Sequence, residues 1–293
     1  MALEEMASAL EASGAYRVLR RLQVRQARTI PDGVQLRRGL IVDVETTGLE
    51  PARDEIIELA MVPFTYGLDG QVYTVGEPFD RLREPSRPIT AEITTLTGIS
   101  EMMVKGHRID PDEVVAVAAP ADLVIAHNAA FDRKFLERLN EVFTTKPWAC
   151  SMTQIDWQAE GYEGVKLGYL AASSGFFFDR HRAVQDCLAT VELLALTHPG
   201  TGLTGLAQLL TRARTPSWRV WAENSPFDLK DQLRARGYRW NGDAVNGPRA
   251  WYIDVDEDGC EAELAFLKSE IYRGDVDLLV RRIDAYDRFS ERV

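Results

Sequence analysis

The sequence contains little cysteine and no long apolar run. Its three cysteines, Cys150, Cys187 and Cys260, stand singly among 293 residues, without the spacing of a zinc site or a disulfide framework. No stretch of about 18 apolar residues is present, and this absence argues against a membrane span. The N-terminus opens acidic, without the apolar segment of a signal peptide. We therefore expect a protein of the reducing cytoplasm.

The sequence also lacks an excess of positive charge. Lysine and arginine together number 34 against 45 aspartates and glutamates, for a formal net charge of −11. A dedicated nucleic-acid-binding domain is usually basic overall, so this composition does not advertise a polyanionic partner. It does not exclude one either, because metal ions or a local basic patch can neutralise phosphates.

The length of the chain and a change of character along it predict more than one folded unit. Residues 1–36 are predicted as a helical extension, and residues 37–199 as a large α/β unit. Residues 200–215 are predicted as a linker helix. Residues 216–293, aromatic and basic near their start, are predicted as a small α+β unit. Its last residues, 281–293, are expected to form a final helix or a tail.

The pattern of the larger unit predicts a mixed sheet covered by helices on its faces. Three consecutive strands are predicted at residues 39–45, 56–66 and 71–79, which are rich in Val, Ile, Phe and Tyr. Two further strands at residues 121–128 and 148–155 then alternate with helices at residues 111–119, 129–143, 167–175 and 182–197. In the smaller unit, a turn and a strand are predicted over residues 246–255, and a helix over residues 261–272.

Two carboxylates end the first predicted strand, where the segment IVDVETT carries Asp43 and Glu45. Residues two apart on a strand point to the same face, so these side chains lie together. Two like charges so close repel each other unless a cation lies between them. Solvent, or hydrogen bonds from Thr46 and Thr47, is an alternative way to stabilise the pair.

More carboxylates follow in two other segments of the sequence. Asp132 comes just after the fourth strand, and Asp186 comes at the start of the last large helix. Each of these segments also contains a histidine, His127 in the first and His181 in the second. Four acids, two of them accompanied by a histidine, favour a metal site over a pair of solvated carboxylates.

Three motifs in the sequence resemble those of a known family. They are DVETTG at residues 43–48, HNAAFD at residues 127–132 and HRAVQD at residues 181–186. Together, and in this order, they resemble the motifs of the DEDDh 3′-5′ exonucleases, typified by the epsilon proofreading subunit of bacterial DNA polymerase III. LTGIS at residues 96–100 matches a further stretch common in such proteins. The resemblance covers residues 37–197, and all four acids and His181 are present.

The resemblance implies a ribonuclease H-like fold and a mechanism with two divalent cations, Mg²⁺ or Mn²⁺. Phosphodiester hydrolysis needs an activated nucleophile, in-line geometry and neutralised charge on the leaving oxygen, and carboxylate-bound cations suit these needs. By resemblance, Asp43 bridges both ions, Glu45 and Asp186 complete the site on the nucleophile side, and Asp132 supports the other ion. His181 takes the proton of the nucleophile. The implied product is a nucleoside 5′-monophosphate released from the 3′ end.

The uncharged residues of the motifs are candidates for substrate binding. Thr46 and Thr47 are expected to hydrogen-bond the terminal nucleotide, although a turn after the strand explains them almost equally well. His127 and Asn128 are candidates for positioning the substrate, and a structural role is the alternative for His127. Phe131 is a candidate for stacking on a base, with packing in the helix core as the alternative.

The smaller unit offers another candidate surface for nucleic acid. A short span that also contains Tyr238 combines four cations with a tryptophan: Lys230, Arg234, Arg236, Arg239 and Trp240. This mixture suits phosphate contacts and base stacking. A solvated helix face followed by a packed aromatic strand is the alternative explanation.

The sequence therefore predicts a metal-dependent 3′-5′ exonuclease that acts on single-stranded or frayed DNA ends, in replication proofreading or repair. An exoribonuclease that trims RNA is one alternative, because discrimination of the 2′-hydroxyl is not visible in the motifs. A non-catalytic nucleic-acid-binding platform is another, although the intact acids argue against it. Association with a DNA polymerase would rest on the family resemblance alone. The oligomeric state and the choice between Mg²⁺ and Mn²⁺ stay open.

Overall fold

The computed structural model of the chain describes residues 2–242 and 247–293. Its strands are β1 (Arg20–Arg21), β2 (Leu36–Thr46), β3 (Ile56–Gly67), β4 (Val72–Val75), β5 (Phe79–Leu82), β6 (Leu123–Ala126), β7 (Trp148–Cys150), β8 (Phe176–Phe177), β9 (Ser217–Ala222), β10 (Arg239–Trp240), β11 (Trp251–Val255) and β12 (Val280–Ile283). Its α-helices are α1 (Leu3–Ala12), α2 (Ala91–Thr97), α3 (Glu101–Val104), α4 (Pro111–Ala118), α5 (Ala129–Leu139), α6 (Leu167–Ser173), α7 (Ala183–Ala195), α8 (Gly205–Arg214), α9 (Lys230–Ala235) and α10 (Glu257–Phe266). None of the helices in these two ranges combines the length and the apolar character that a membrane crossing requires.

The main sheet contains six strands. Five of them follow the order β4–β3–β2–β6–β7, and β5 pairs with β3 as well. Strands β2 and β3 are antiparallel, whereas β2, β6 and β7 run parallel to one another. Helices pack on both faces, so the predicted mixed sheet flanked by helices is confirmed.

The single strand predicted over residues 71–79 is wrong, because the chain forms β4 and β5 there instead. Between them, the Gly76 N–H donates to the Pro63 carbonyl at 2.7 Å. Pro78 has no N–H with which to continue a ladder, so the chain leaves the first pairing and begins a second one with β3.

Alternate residues of β2 belong to two different cores. Leu40, Val42 and Val44 pack in a cluster with apolar residues of α4 and α5. Ile41 packs on the other face, in a cluster with residues of α7 and α8. Asp43 continues the face of Ile41, because side chains alternate along a strand. The sheet therefore directs the acids of β2 towards α7.

The N-terminal segment is mostly extended, so the prediction of a helical extension over residues 1–36 is wrong beyond α1. Helix α1 buries none of its residues, and Gly14 follows it with a left-handed φ of 71°. Glycine adopts this conformation without a steric cost, which suits the end of a helix. Farther along, β1 pairs in parallel with β8.

The helix predicted as a linker, at residues 200–215, corresponds to α8. Its apolar residues Leu206, Leu209 and Leu210 are buried in the same cluster as Ile41 and residues of α7. Thr204 caps it by accepting a hydrogen bond from the Ala207 N–H at 3.1 Å. Helix α8 is thus part of the core of the main sheet.

The C-terminal residues form a second sheet with the antiparallel order β10–β11–β9–β12. Val220, Leu233 and Leu267 belong to a separate apolar cluster on one face of this sheet, where α9 and α10 pack. Residues 281–293, expected to form a final helix or a tail, contain no helix, because residues up to Ile283 belong to β12 and turns follow. The turn predicted at Asn246 lies outside the described residues. Treatment of this unit as a separate domain stays a prediction.

The last residues return to the main sheet and pack against α5. The buried guanidinium of Arg133 donates hydrogen bonds to the carbonyl oxygens of Ala285, Tyr286 and Arg288. The Trp148 N–H of β7 donates to the same Ala285 carbonyl at 2.7 Å. The residues that follow β12 are therefore anchored to β7 and to α5, the helix that carries Asp132.

Candidate active site

Three carboxylates meet at the end of β2. Asp43, Glu45 and Asp186 each offer a carboxylate oxygen, and these oxygens lie within 4.8 Å of one another. Asp43 and Glu45 are two residues apart on β2, so the strand presents both to the same face. Asp186 comes from the first turn of α7, where its carboxylate accepts a hydrogen bond from the Arg182 N–H at 3.2 Å.

Asp132 reaches the same region from the first turn of α5. Its side chain is buried, and Oδ1 accepts a hydrogen bond from the Val44 N–H at 3.2 Å. Val44 lies between Asp43 and Glu45 on β2, so this bond holds Asp132 beside the other acids. The structure thus brings together all four predicted acids.

The four carboxylates carry unbalanced negative charge in a partly desolvated place. Burial, reinforced by neighbouring carboxylates, raises the pKa of Asp43 well above its ordinary range and the pKa of Glu45 to about 8. The same causes raise the pKa of Asp132 to about 8 and that of Asp186 to about 7. Such a group of acids is stabilised in its ionised form by an added cation.

The donor set fits divalent cations that prefer oxygen ligands. The carboxylate oxygens of Asp43, Glu45 and Asp186 lie close enough together for one ion to contact all three. Mg²⁺ and Mn²⁺ both bind carboxylates and retain water ligands, so a phosphate oxygen and a water molecule have room to join them. Asp132, held at the Val44 N–H, adds a fourth carboxylate, which would let the group hold more than one ion.

His181 precedes α7 in an exposed segment and has a left-handed φ of 60°. Partial burial and the charge of Arg180 lower the pKa of its imidazole, so the neutral, proton-accepting form predominates at neutral pH. Asn128, at the start of α5, also has a positive φ, of 92°. Strained residues of this kind are concentrated at functional sites.

A buried ion pair beside the acids was missed in the sequence. Glu58 of β3 is fully buried directly opposite Glu45, and its carboxylate accepts hydrogen bonds from the Arg182 guanidinium at 2.8 and 3.1 Å. It also accepts from the Ala183 N–H at 2.8 Å. Arg182 follows His181 directly, so Glu58 fixes the segment that carries His181 and starts α7. A lone glutamate within the apolar strand IIELAMV was the available sign, because buried acids require partners.

The two threonines of the first motif organise the turn after β2. The Thr46 hydroxyl donates to the Gly48 carbonyl at 2.6 Å, and the Thr47 hydroxyl accepts from the Glu55 N–H at 3.0 Å. Gly48 is needed here because a Cβ would lie 2.4 Å from the Asp54 carboxylate. These contacts support the turn-forming explanation of the threonines, and nucleotide binding by them stays a prediction.

The candidate residues of the second motif differ in how exposed they are. The imidazole of His127 bonds to the Ser151 hydroxyl and the Val165 carbonyl, each at 2.8 Å, and burial lowers its pKa to about 4. Phe131 is partly buried and contacts Phe135, with ring centroids 5.0 Å apart. Asn128 is exposed. Substrate contacts by these three residues stay predictions.

The five candidates in the second unit do not form one surface. Arg236 pairs with Glu263 and Arg239 with Asp254, and these acids lie on α10 and β11 respectively. Lys230 lies over the Phe227 ring, and Arg234 is near Asp231 at 3.6 Å. Trp240 is half exposed at the sheet edge, beside Trp251. Arg239 therefore lies on a different face of the second sheet from the cations of α9.

Comparison with known families gives a match over the main sheet. The family model described as Exonuclease, named RNase_T, matches residues 40–194, just over half of the chain. This range includes all four acids and His181.

Curated proteins similar to this chain are much longer. A DNA polymerase III PolC-type protein of Caldanaerobacter subterraneus is 28% identical over 201 residues, which make up 63% of this chain and 14% of that protein. A DNA polymerase III subunit epsilon-like protein of Rhodobacter capsulatus is 32% identical over 196 residues, or 60% of this chain and 26% of that protein. The chain thus spans about a quarter or less of the length of these relatives.

Solved structures with a similar fold include a metal-free complex of E. coli exonuclease I with single-stranded DNA. The alignment with it covers 76% of this chain and 63% of the exonuclease I chain, with 16% identity and a TM-score of 0.50. A second structure is exonuclease X in complex with duplex DNA bearing a 5′ overhang. The alignment with it covers 59% of this chain and 98% of the exonuclease X chain, with 26% identity and a TM-score of 0.44. The exonuclease I likeness shows that the predicted fold class is shared with a known exonuclease.

Proposed function

Because this chain belongs to the exonuclease family whose model matches residues 40–194, we propose that it is a metal-dependent 3′-5′ exonuclease. Its substrate is single-stranded or frayed DNA, and its product is a nucleoside 5′-monophosphate. The observation that carries the proposal is the convergence of Asp43, Glu45 and Asp186 within 4.8 Å, with Asp132 beside them. The names of the similar proteins, DNA polymerase III PolC-type and DNA polymerase III subunit epsilon-like, favour DNA over RNA.

In this proposal the four acids hold two divalent cations, Mg²⁺ or Mn²⁺. When bound, the cations activate the attacking water and neutralise charge on the leaving 3′ oxygen. The acids must be ionised for this, and the raised pKa values of Glu45, Asp132 and Asp186 mean that cation binding releases protons. His181, neutral at pH 7, accepts the proton of the attacking water at a ring nitrogen.

The test is product analysis on single-stranded oligomers labelled at the 5′ end, as matched DNA and RNA, with Mg²⁺, Mn²⁺ or a chelator. We expect a ladder that shortens from the 3′ end only when a divalent cation is present. The Asp43→Asn protein should produce no ladder, whereas Asp112→Asn, a matched change of an exposed aspartate on α4, should retain full activity.

Four outcomes would contradict parts of the proposal. A ladder in the presence of chelator would exclude the role of cations, and normal activity of Asp43→Asn would exclude the carboxylate group as the site. Faster shortening of RNA than of DNA would replace the DNA substrate by RNA. Binding without any ladder would favour the non-catalytic platform.

A further inference from the structure

A cleft of about 640 Å³ separates α5 from the outer face of the second sheet. On one side it is lined by Ala130 and Lys134 of α5 and by Arg212 of α8. On the other side it is lined by Arg219 of β9 and Tyr252 of β11. The helices α9 and α10 pack on the opposite face of that sheet, so this wall of the cleft is not covered by them.

The side chains of the cleft are predominantly positive, although the chain has a net charge of −11. Two carboxylates line it, Asp254 and Asp256, against five cations: Lys134, Arg212, Arg219, Arg239 and Arg288. Such a local excess of positive charge complements a polyanion, and it meets the condition that an acidic protein must satisfy to bind one.

Most of this positive charge is not neutralised within the protein. Within residues 2–242 and 247–293, Lys134 and Arg212 form no ion pair with a carboxylate, and Arg288 donates to the neutral Thr215 carbonyl at 2.8 Å. Asp254 accepts from both Arg219 and Arg239, so one carboxylate is shared by two guanidinium groups. Phosphate groups could replace the missing anions.

An aromatic ring lies among these cations. The guanidinium carbon of Arg219 lies 4.4 Å from the centroid of the Tyr252 ring, and that of Arg239 lies 4.9 Å from it. Planar guanidinium groups and aromatic rings both stack on nucleobases, and proteins that bind single strands combine them with cations for the backbone. The chemistry of this wall therefore fits a single strand with accessible bases.

The cleft and the four acids share helix α5. Ala130 and Lys134 are four residues apart and line the cleft from one face of the helix, whereas Asp132, two residues from each, points to the opposite face. Exposed Asn128 caps the N-terminal end of α5, between the face that lines the cleft and the face that carries Asp132. A strand with its 3′ end at the acids would reach the cleft by crossing this N-terminal end of α5.

We propose that the cleft binds the part of a DNA single strand that lies upstream of the 3′-terminal nucleotide. Lys134, Arg212 and Arg288 contact phosphates, and the wall formed by Arg219, Arg239 and Tyr252 stacks on bases. This inference rests on the proposed exonuclease function. It retains Arg239 from the sequence prediction but replaces the predicted contacts of Lys230, Arg234, Arg236 and Trp240, which do not line the cleft.

The test compares two matched double variants of the full chain, each of which removes one lysine and one arginine. They are Lys134→Gln/Arg212→Gln in the cleft and Lys230→Gln/Arg234→Gln on α9. Binding of a labelled single-stranded DNA oligomer is measured by fluorescence anisotropy over a range of salt concentrations, with chelator present so that the DNA stays intact. Thermal unfolding of each variant checks that it is folded.

We expect the cleft variant to bind several-fold more weakly and the slope of log K against log salt to fall by about 1.4, because each lost phosphate contact removes about 0.7. The α9 variant should change the slope by less than half as much. Equal slopes for the cleft variant and the unmodified chain, or a larger effect from α9, would overturn the proposal. Turnover with Mg²⁺ is measured separately, so a protein that binds through the cleft but does not digest DNA would refute the exonuclease function alone.

Discussion

The carboxylate of Glu58 and the carboxylate group that includes Glu45 lie side by side on one face of the main sheet, and their surroundings differ. Glu58 is fully buried, and Arg182 and the Ala183 N–H satisfy its carboxylate. Glu45 lies opposite Glu58 in the register of β2 and β3. Its neighbours are Asp43 and Asp186, and within the described ranges it has no ion pair of its own. Glutamates on adjacent strands therefore differ in whether the described part of the protein supplies an ion-pair partner.

The difference teaches how the molecule separates stability from function. The Glu58–Arg182 pair supplies its own counter-charge, so it fixes the start of α7 whether or not a cation is present. Within the described residues the acids of β2 form no ion pair, and burial together with neighbouring carboxylates raises their pKa values, which favours the binding of a cation. The fixed pair thus positions the charged group that needs a ligand.

The largest effect is expected when the unbalanced group loses one acid. Glu45→Gln keeps the size of the side chain but removes a charged ligand, and we expect at least about a 10²–10³-fold loss of nuclease rate. The control is Glu50→Gln, because Glu50 is exposed in the turn after β2 and should tolerate the change. Rates are measured on a labelled oligomer with Mg²⁺. Equal activity of the two variants would show that Glu45, like Glu58, has no role as a ligand for a cation.

The next effect comes from converting the satisfied pair into an unbalanced one. Arg182→Met leaves Glu58 buried without its cation, and we expect a loss of about 3 kcal/mol in the free energy of unfolding. The double variant Arg182→Met/Glu58→Gln should recover part of that loss, because the orphaned charge is gone. Urea unfolding of the three proteins measures both quantities. A double variant less stable than Arg182→Met would mean that the two residues act independently.

A third effect concerns pH and cations. Because the pKa values of Glu45, Asp132 and Asp186 lie above those of unfolded carboxyl groups, the native protein binds more protons than the unfolded chain between about pH 4 and pH 8. Without a cation, stability should therefore fall as pH rises through this window, by about 1.4 kcal/mol per pH unit for each proton difference. Added Mg²⁺ should raise the melting temperature more at high pH than at low pH.

Thermal unfolding with chelator or with Mg²⁺ at several pH values tests this expectation. The Glu45→Gln protein serves as its control, because it has one fewer acid to titrate and should show a shallower decline. A Mg²⁺-induced increase that is the same at acidic and alkaline pH would contradict the link between the carboxylates and the cation.

The smallest effect is expected in the turn that follows Glu45. A Cβ in Gly48→Ala would lie 2.4 Å from the Asp54 carboxylate, which accepts a hydrogen bond from the Glu50 N–H at 2.8 Å. The crowding should cost about 1–2 kcal/mol in stability and lower the nuclease rate only a few-fold, since the acids stay in place. Gly164→Ala, on another segment, separates the loss of glycine from this specific clash, because a Cβ there would only contact the Tyr169 ring at 3.6 Å. Equal stability of the two variants would argue against the clash.

The main sheet was largely predictable because its strands carry strong patterns. Side chains two apart share a face, and this periodicity alone placed Asp43 and Glu45 together. The convergence of Asp132 and Asp186 required more than periodicity, because they come from different helices. Their assignment to the same site came from the order of the three motifs.

Other features depend on contacts that no local pattern contains. The partner of Glu58 is Arg182, far along the chain, and nothing in either segment identifies the other. Helix α1 ends early because none of its residues is buried, and residues after Val280 pair as β12 because β9 offers a free edge. The positive cleft likewise combines residues of α5, α8 and the second sheet that are separated in sequence.

The return of the last residues to α5 and β7 has a consequence for the handling of the protein. Strand β7 lies at one end of the strand order of the main sheet, and Ala285 accepts the hydrogen bond of its Trp148 N–H. Removal of residues 284–293 would bare this border and leave the Arg133 guanidinium without three carbonyl acceptors. An uncovered border of a sheet is a template for pairing with other chains. A shortened protein would therefore tend to self-associate. A preparation of the main sheet and its helices would stay soluble only if residues 284–293 were retained.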